Sequence, residues 1–236
     1  MNDPIAAAHD LTTLLGLKTP PLAIRFSAAA PEGVPRADEA MPAATSDGRT
    51  GRAPAGCVFW IRAAERTFTT VAEDHANCSV GSLTHGFETL DDAATRADVA
   101  ALCEAGWVTP EIFPEIPVVK EKPGFVTYGP LAEAPEADVV FMRLNGIQVM
   151  MLHDAWPELR FEGKPQCHII AIAKEEGVPA ASVGCALSRV RTGMPPTEMT
   201  CAIPASKLGE VVASVQEHAG ADNTVAKYAA DDANRF

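Results

Sequence analysis

Asp138-Val-Val-Phe-Met-Arg-Leu144 is the strongest strand signal in the chain. It is apolar on both faces for most of its length, which suits a central strand with a packed layer on either side. Asn145-Gly146 turns the chain into a helix carrying Ile147, Met150 and Met151, which ends before Pro157. Outward from this stretch, Leu22–Phe26, the β-branched segment 66–72, Phe125–Tyr128 and Glu198–Ile203 read as further strands.

Helices alternate with these strands irregularly. Asp3-Pro4 caps and opens a first helix, with Ile5, Ala8, Leu11 and Leu15 on one face and Gly16 as its stop. Asp91 or Asp92 caps a helix that ends near Gly106, with Val99, Leu102 and Cys103 on its inner side. A last helix starts near Ser206 and carries the stripe Leu208, Val211, Val212 and Val215. Pro54 and Pro165 can each open a helix, which sets Cys57 and Cys167 in first turns. The segment 75–86 reads as a loop and a short helix, and 182–191 as a loop or short strand. Residues 28–53 read as a long surface loop and 222–236 as a solvated tail. Strands and helices without strict alternation give the class α+β: a mixed β-sheet packed with helices, in a single compact domain over residues 1–236.

With 236 residues, 47% of them hydrophobic, the chain can bury a sizeable core. Its formal charge of −12 argues against nucleic acid and against anionic membrane surfaces as partners, because both need clustered Lys and Arg. No apolar run approaches the roughly 20 residues of a membrane span. The amino terminus lacks a secretory pattern, so a cytoplasmic protein is expected. Six cysteines in a reducing compartment are free thiols or ligands rather than disulfides.

Four of the six stand among Gly, Pro, His or Asn: Pro54-Ala-Gly-Cys57, His75-Ala-Asn-Cys78, Lys164-Pro-Gln-Cys167-His168 and Val183-Gly-Cys185. Such backbone can bend around an inorganic core, and a helix's first turn stabilises a thiolate through its free N–H groups. Cys57, Cys78, Cys167 and Cys185 are therefore the candidate ligands of a [4Fe–4S] cluster. Cys103 and Cys201 read as small buried hydrophobes. His75, His85 and Arg189 are candidate catalytic groups beside the centre; Arg189 can bind an anionic substrate or hydrogen-bond a cluster sulfide. His168, next to Cys167, can serve in the same way. The polar turn Asn145-Gly146-Ile147-Gln148 is a candidate crevice wall, by analogy with the carboxyl ends of parallel strands. No Cys-x-x-Cys pair, phosphate loop, dinucleotide fingerprint, nucleophile elbow or His-Glu-x-x-His occurs.

Cys57-Val-Phe-Trp60, His75 to Gly81, Tyr128-Gly-Pro-Leu131, Asp138-Val-Val140 with Gln148-Val-Met150, and Ser182-Val-Gly-Cys185 with Arg189 together resemble the family called domain of unknown function 169. The likeness runs from about Leu14 to Val215. It implies a bacterial or archaeal cytoplasmic protein and a site shared at Cys57, Cys78 and Cys185; Cys167 matches a less fixed part. It supplies no reaction.

The leading expectation is an iron–sulfur protein that acts on a small-molecule substrate as an oxidoreductase, lyase or hydrolase, or that serves an electron-transfer partner; a homodimer is left open. The alternatives are a zinc or other metal site built on His75 and Cys78, a ligand-binding module with a pocket lined by Trp60, Phe87 and Trp107, and a metal-free enzyme with Cys78 as nucleophile and His75 as base.

Overall fold

In a computed structural model of the chain, which describes residues 3–37, 56–133, 136–163 and 165–233, one seven-stranded sheet carries the molecule. The strands are β1 (Leu22–Ser27), β2 (Phe68–Thr70), β3 (Phe125–Pro130), β4 (Val139–Asn145), β5 (Arg160–Glu162), β6 (Ala180–Ser182) and β7 (Glu198–Pro204). Their order is β2-β3-β1-β4-β7-β6-β5, so β4 is the middle strand. All neighbours pair antiparallel except β5 and β6, which are parallel and joined by a helical crossover.

The pleat sorts side chains into two cores. Leu22, Ile24, Val139, Phe141, Ala180 and Ala202 face one way. Ala23, Val140, Met142, Leu144, Ala181, Cys201 and Ile203 face the other. Val139 to Leu144 are buried or half-buried on both faces, as a central strand requires.

The second face is covered by α1 (Pro4–Leu15), α6 (Gly146–Ala155) and the long α9 (Leu208–Ala233). Asp3 caps α1 through Ile5 N–H, and Gly16 ends it in the left-handed conformation. Leu208, Val211, Val212 and Val215 are all buried, and each such side chain contributes about 1.5–3 kcal/mol. Ile5 is exposed, so the stripe of α1 is Ala8, Leu11 and Leu15 together with Ala7. Ile147 and Met150 also face outward, and α6 packs through Val149 and Leu152 instead.

The first face is covered by short pieces: α2 (Gly56–Arg62), α3 (Ser79–Thr84), α4 (Leu90–Ala94), α5 (Ala97–Glu104), α7 (His168–Ala171) and α8 (Ala186–Thr192). The single helix expected from Asp91 to Gly106 is two. Thr89, not an aspartate, caps α4; the Thr95 hydroxyl then bonds Asp92 O, and Arg96 turns extended before α5 begins. The segment 182–191 holds helix α8, whose cap is a thiol: Cys185 Sγ accepts from Ser188 N–H at 3.3 Å. Residues 222–233 continue α9 rather than forming a loose tail. Most of the loop expected at 28–53 lies outside the described residues, as do Pro54, Lys164, part of the turn expected at 133–138 and the last three residues; Arg36 makes a bridge to Thr69.

Candidate functional site

The parallel pair sets up the site. β5 and β6 run in the same direction, so the segments leaving their carboxyl ends emerge side by side. One carries Pro165-Gln166-Cys167 and the other Gly184-Cys185. Gln166 ties them: its carbonyl accepts from Cys185 N–H at 2.7 Å and its amide donates to Ser188 Oγ at 2.8 Å. Gly184 has φ +88°, and a Cβ there would stand 2.9 Å from Gln166 Oε1. Glycine is needed for this turn.

α2 packs on α8 and brings Cys57 to the cavity wall that Ser188 also lines. α3 brings Cys78, its cap residue, to the same place. Asp98 anchors this end of α3 by accepting from Ser79 N–H at 3.1 Å and Ser79 Oγ at 2.5 Å. Cys57, Cys78, Cys167 and Cys185 thus line one cavity of about 360 Å³, open solvent included, together with Gly56, Gly81, His85 and Arg191. Segments from four parts of the chain meet there.

Polar groups stand beside the thiols. Arg191 lines the cavity with Cys57 and Cys78, where its positive charge is felt by both, and its Nη2 donates to Asn77 O at 3.1 Å. The Ser188 N–H at the start of α8 donates to Cys185 Sγ, and the Thr84 hydroxyl donates to Gly81 O at 3.0 Å. Burial raises the thiols of Cys57, Cys167 and Cys185 above the ordinary cysteine range, and the negative charge of neighbouring thiolates adds to this. Gly81 leaves the Cys78 sulfur uncovered, since a Cβ there would sit 3.6 Å from Sγ. Among the described residues, no group of three or more His, Cys, Asp or Glu side chains is arranged to hold a metal ion.

The other predicted groups divide. His85 lines the cavity; its Nδ1 bonds Gly81 O at 2.8 Å, while its Nε2 is buried without a hydrogen-bond partner among the described residues. Burial lowers its pKa to about 4, the Gly81 carbonyl opposing, so it is neutral at pH 7. His75 does not line the cavity. It is fully buried among Phe59, Phe87 and Tyr128, with Nε2 3.0 Å from Thr70 Oγ1, and desolvation followed by the nearby His85 holds its pKa well below the usual range. Arg189 does not line it either. Its guanidinium donates to the carbonyls of Pro195, Val183 and Glu198 at 2.6–2.9 Å and fastens α8 to β7. The cation at the thiols is Arg191, two residues on, which sequence reasoning passed over; their spacing in α8 sets the two arginines on different sides of a helix.

Asn145 and Gln148 are structural. They form a reciprocal cap, and Gln148 Nε2 donates to Leu15 O and Gly16 O at 2.9 Å, tying α6 to α1. Trp60 and Phe87 are core residues and do not share a pocket with Trp107. Cys201 is buried in β7 as expected, and Cys103 is half-buried on α5. No helix among the described residues is long and apolar enough to cross a membrane.

No curated protein and no solved structure matches the chain. The family described as uncharacterised ArCR, DUF169, matches over residues 10–214, a span that contains every strand and all four cavity cysteines. The chain belongs to this family, domain of unknown function 169.

Proposed function

We propose that the four-thiol cavity holds an iron–sulfur cluster of the [4Fe–4S] type, ligated by Cys57, Cys78 and Cys185 with Cys167 as the fourth ligand. The observation that carries this reading is the convergence of four thiols from distant segments on one cavity, with the Arg191 guanidinium in its wall and a backbone N–H on the Cys185 sulfur. Free cysteines buried as hydrophobes have no need of such donors. Anionic sulfur ligands do, because donors at the sulfurs offset the charge brought inside.

Zinc needs its ligands about 2–2.3 Å from one atom, so its sulfurs crowd together. A cluster needs four sulfurs on four different irons, so metal and sulfide analysis separates it from the zinc alternative. When bound, a cluster supplies electron transfer, or a Lewis-acidic iron if one metal corner lacks a protein ligand. Of the chain's own groups, Arg191 would neutralise charge at Cys57 and Cys78 and can attract an anionic small-molecule substrate. His85, neutral, would offer a hydrogen bond from the cavity wall. A reducing, cytoplasmic setting suits thiols that must stay free until the metal arrives.

The test is anaerobic purification or reconstitution with iron and sulfide. About four irons and four sulfides per chain, with broad visible absorbance, are expected. Colourless, iron-free protein after reconstitution contradicts the reading, and stoichiometric zinc in its place supports the alternative.

A further inference from the structure

The two edges of the sheet are finished differently. At the β2 edge the chain covers itself: Thr69 N–H donates to Pro35 O at 2.8 Å, Arg36 bridges to Thr69, and all three strand residues are buried. β5 is the last strand at the other edge. Its Arg160 N–H donates inward to Pro179 O at 3.0 Å, at the start of the ladder to β6. Backbone groups alternate sides along a strand, so Phe161 N–H and C=O point away from β6, off the end of the sheet. Unpaired edge groups are a template for one more strand.

Three residues say which strand fits. Phe161 is aligned with Ala181 of the long-helix core, and its ring lies on that side against His153 of α6, with centroids 5.5 Å apart. Phe161 is 54% exposed, and Met150, one turn before His153, is 52% exposed. Arg160 and Glu162 point to the opposite side of the sheet, where Arg160 Nε donates to Glu162 Oε1 at 2.6 Å. The strand therefore reads cation, apolar ring, anion. Laid antiparallel on its own copy about Phe161, it sets Arg160 opposite the partner's Glu162, Glu162 opposite the partner's Arg160, and ring opposite ring. Opposite charges and aromatic pairs at facing positions stabilise a sheet, and like charges there destabilise it. An edge carrying one sign of charge would repel its copy; this one attracts it.

We infer that β5 is the contact of a two-fold homodimer, pairing antiparallel with β5 of a second copy so that the two sheets run on into one. The two Phe161 residues exchange both backbone hydrogen bonds across the axis. Met150 and the His153 ring extend the contact on the α6 side. A three-residue ladder buries less than the roughly 800 Å² per partner of a standard interface, so the dimer is reversible, with Kd in the micromolar range. The inference stands whether or not the thiol cavity takes a cluster.

The test is sedimentation equilibrium of the full chain, kept in reductant so that no thiol cross-links it. The parent should be mostly dimer at about 100 μM and mostly monomer at about 1 μM. Phe161→Pro removes the outward donor and leaves the bonds to β6 in place; it should weaken association at least about tenfold, and so should Phe161→Asp. Arg160→Glu and Glu162→Arg should each do the same, by setting like charges across the axis. Mixed one to one, these two variants should pair again as a heterodimer, because their charges are then complementary. Circular dichroism checks that each variant is folded, and Phe161→Pro decides if a charge variant is not. A parent that stays monomeric at about 100 μM, a dimer indifferent to either Phe161 substitution, or folded charge variants that do not recombine would each overturn the assignment.

Discussion

The two faces of the sheet are built on different terms. On one, α1, α6 and α9 lay continuous apolar stripes against Val140, Met142, Cys201 and Ile203. On the other, short helices and turns bury His75, His85, His168, Ser82 and Asp74, the first two against aromatic rings. Most buried polar atoms without described partners follow this division: His75 Nδ1, His85 Nε2, His168 Nε2, Ser82 Oγ and Tyr128 Oη belong to the short-helix side, against Trp156 Nε1 on the long-helix side. A face optimised for packing has no cause to carry so many unmet polar groups. The long-helix face holds the fold together, and the short-helix face gives up some of that stability to build cavities.

Substitutions can break this division. Replacing Cys57 and Cys78 together by Ser should give the largest effect, a loss of iron retention of at least tenfold in the folded chain, read by metal analysis after gel filtration. Full iron retention there would place the metal elsewhere. Leu11→Ala on the opposite face should cost about 2–5 kcal/mol in denaturant unfolding, because Leu11 is wholly buried, yet leave iron per folded chain unchanged. Iron loss in that variant would mean that the faces are not separable.

The metal-free chain should also lose stability in mild acid, and the histidines say on which side. His85 titrates near pH 4 when folded, and His75 also lies well below its ordinary value of 6.5, both chiefly through burial. Unfolding lets both take up protons below about pH 6.5. Stability is therefore full above that pH and falls as pH drops toward 4, by about 3 kcal/mol from His85 alone. A flat unfolding profile between pH 7 and 5 would contradict the burial of these rings. Smaller still, Asp98→Ala should cost about 1–2 kcal/mol by stripping the two bonds to Ser79. It should loosen iron binding as well, since Ser79 follows Cys78. Ile147→Ser, on the exposed side of α6, should stay within about 0.5 kcal/mol of the parent.

How much the sequence disclosed follows the same line. The central strand, the caps of α1 and the stripe of α9 were legible because each repeats a period over several turns or strand residues, and long-range packing agreed with it. The break between α4 and α5 was hidden, because it depends on the Thr95 hydroxyl and the extended Arg96 rather than on any Pro or Gly. α8 was hidden because its cap is a sulfur. Within the site, the unusual neighbours of Cys57, Cys78, Cys167 and Cys185 marked the four thiols that now share a cavity. What stood beside them was not legible: His75 turns into the core and Arg189 onto carbonyls, while Arg191 reaches the sulfurs. Which way a side chain turns is decided by tertiary packing, and a linear motif carries no record of it.

Anomalous scattering at the iron edge, from anaerobically reconstituted crystals, tests the central claim most directly. The account predicts a compact iron peak in the cavity bounded by the sulfurs of Cys57, Cys78, Cys167 and Cys185. Crystals of reconstituted protein without iron density in that cavity would contradict it.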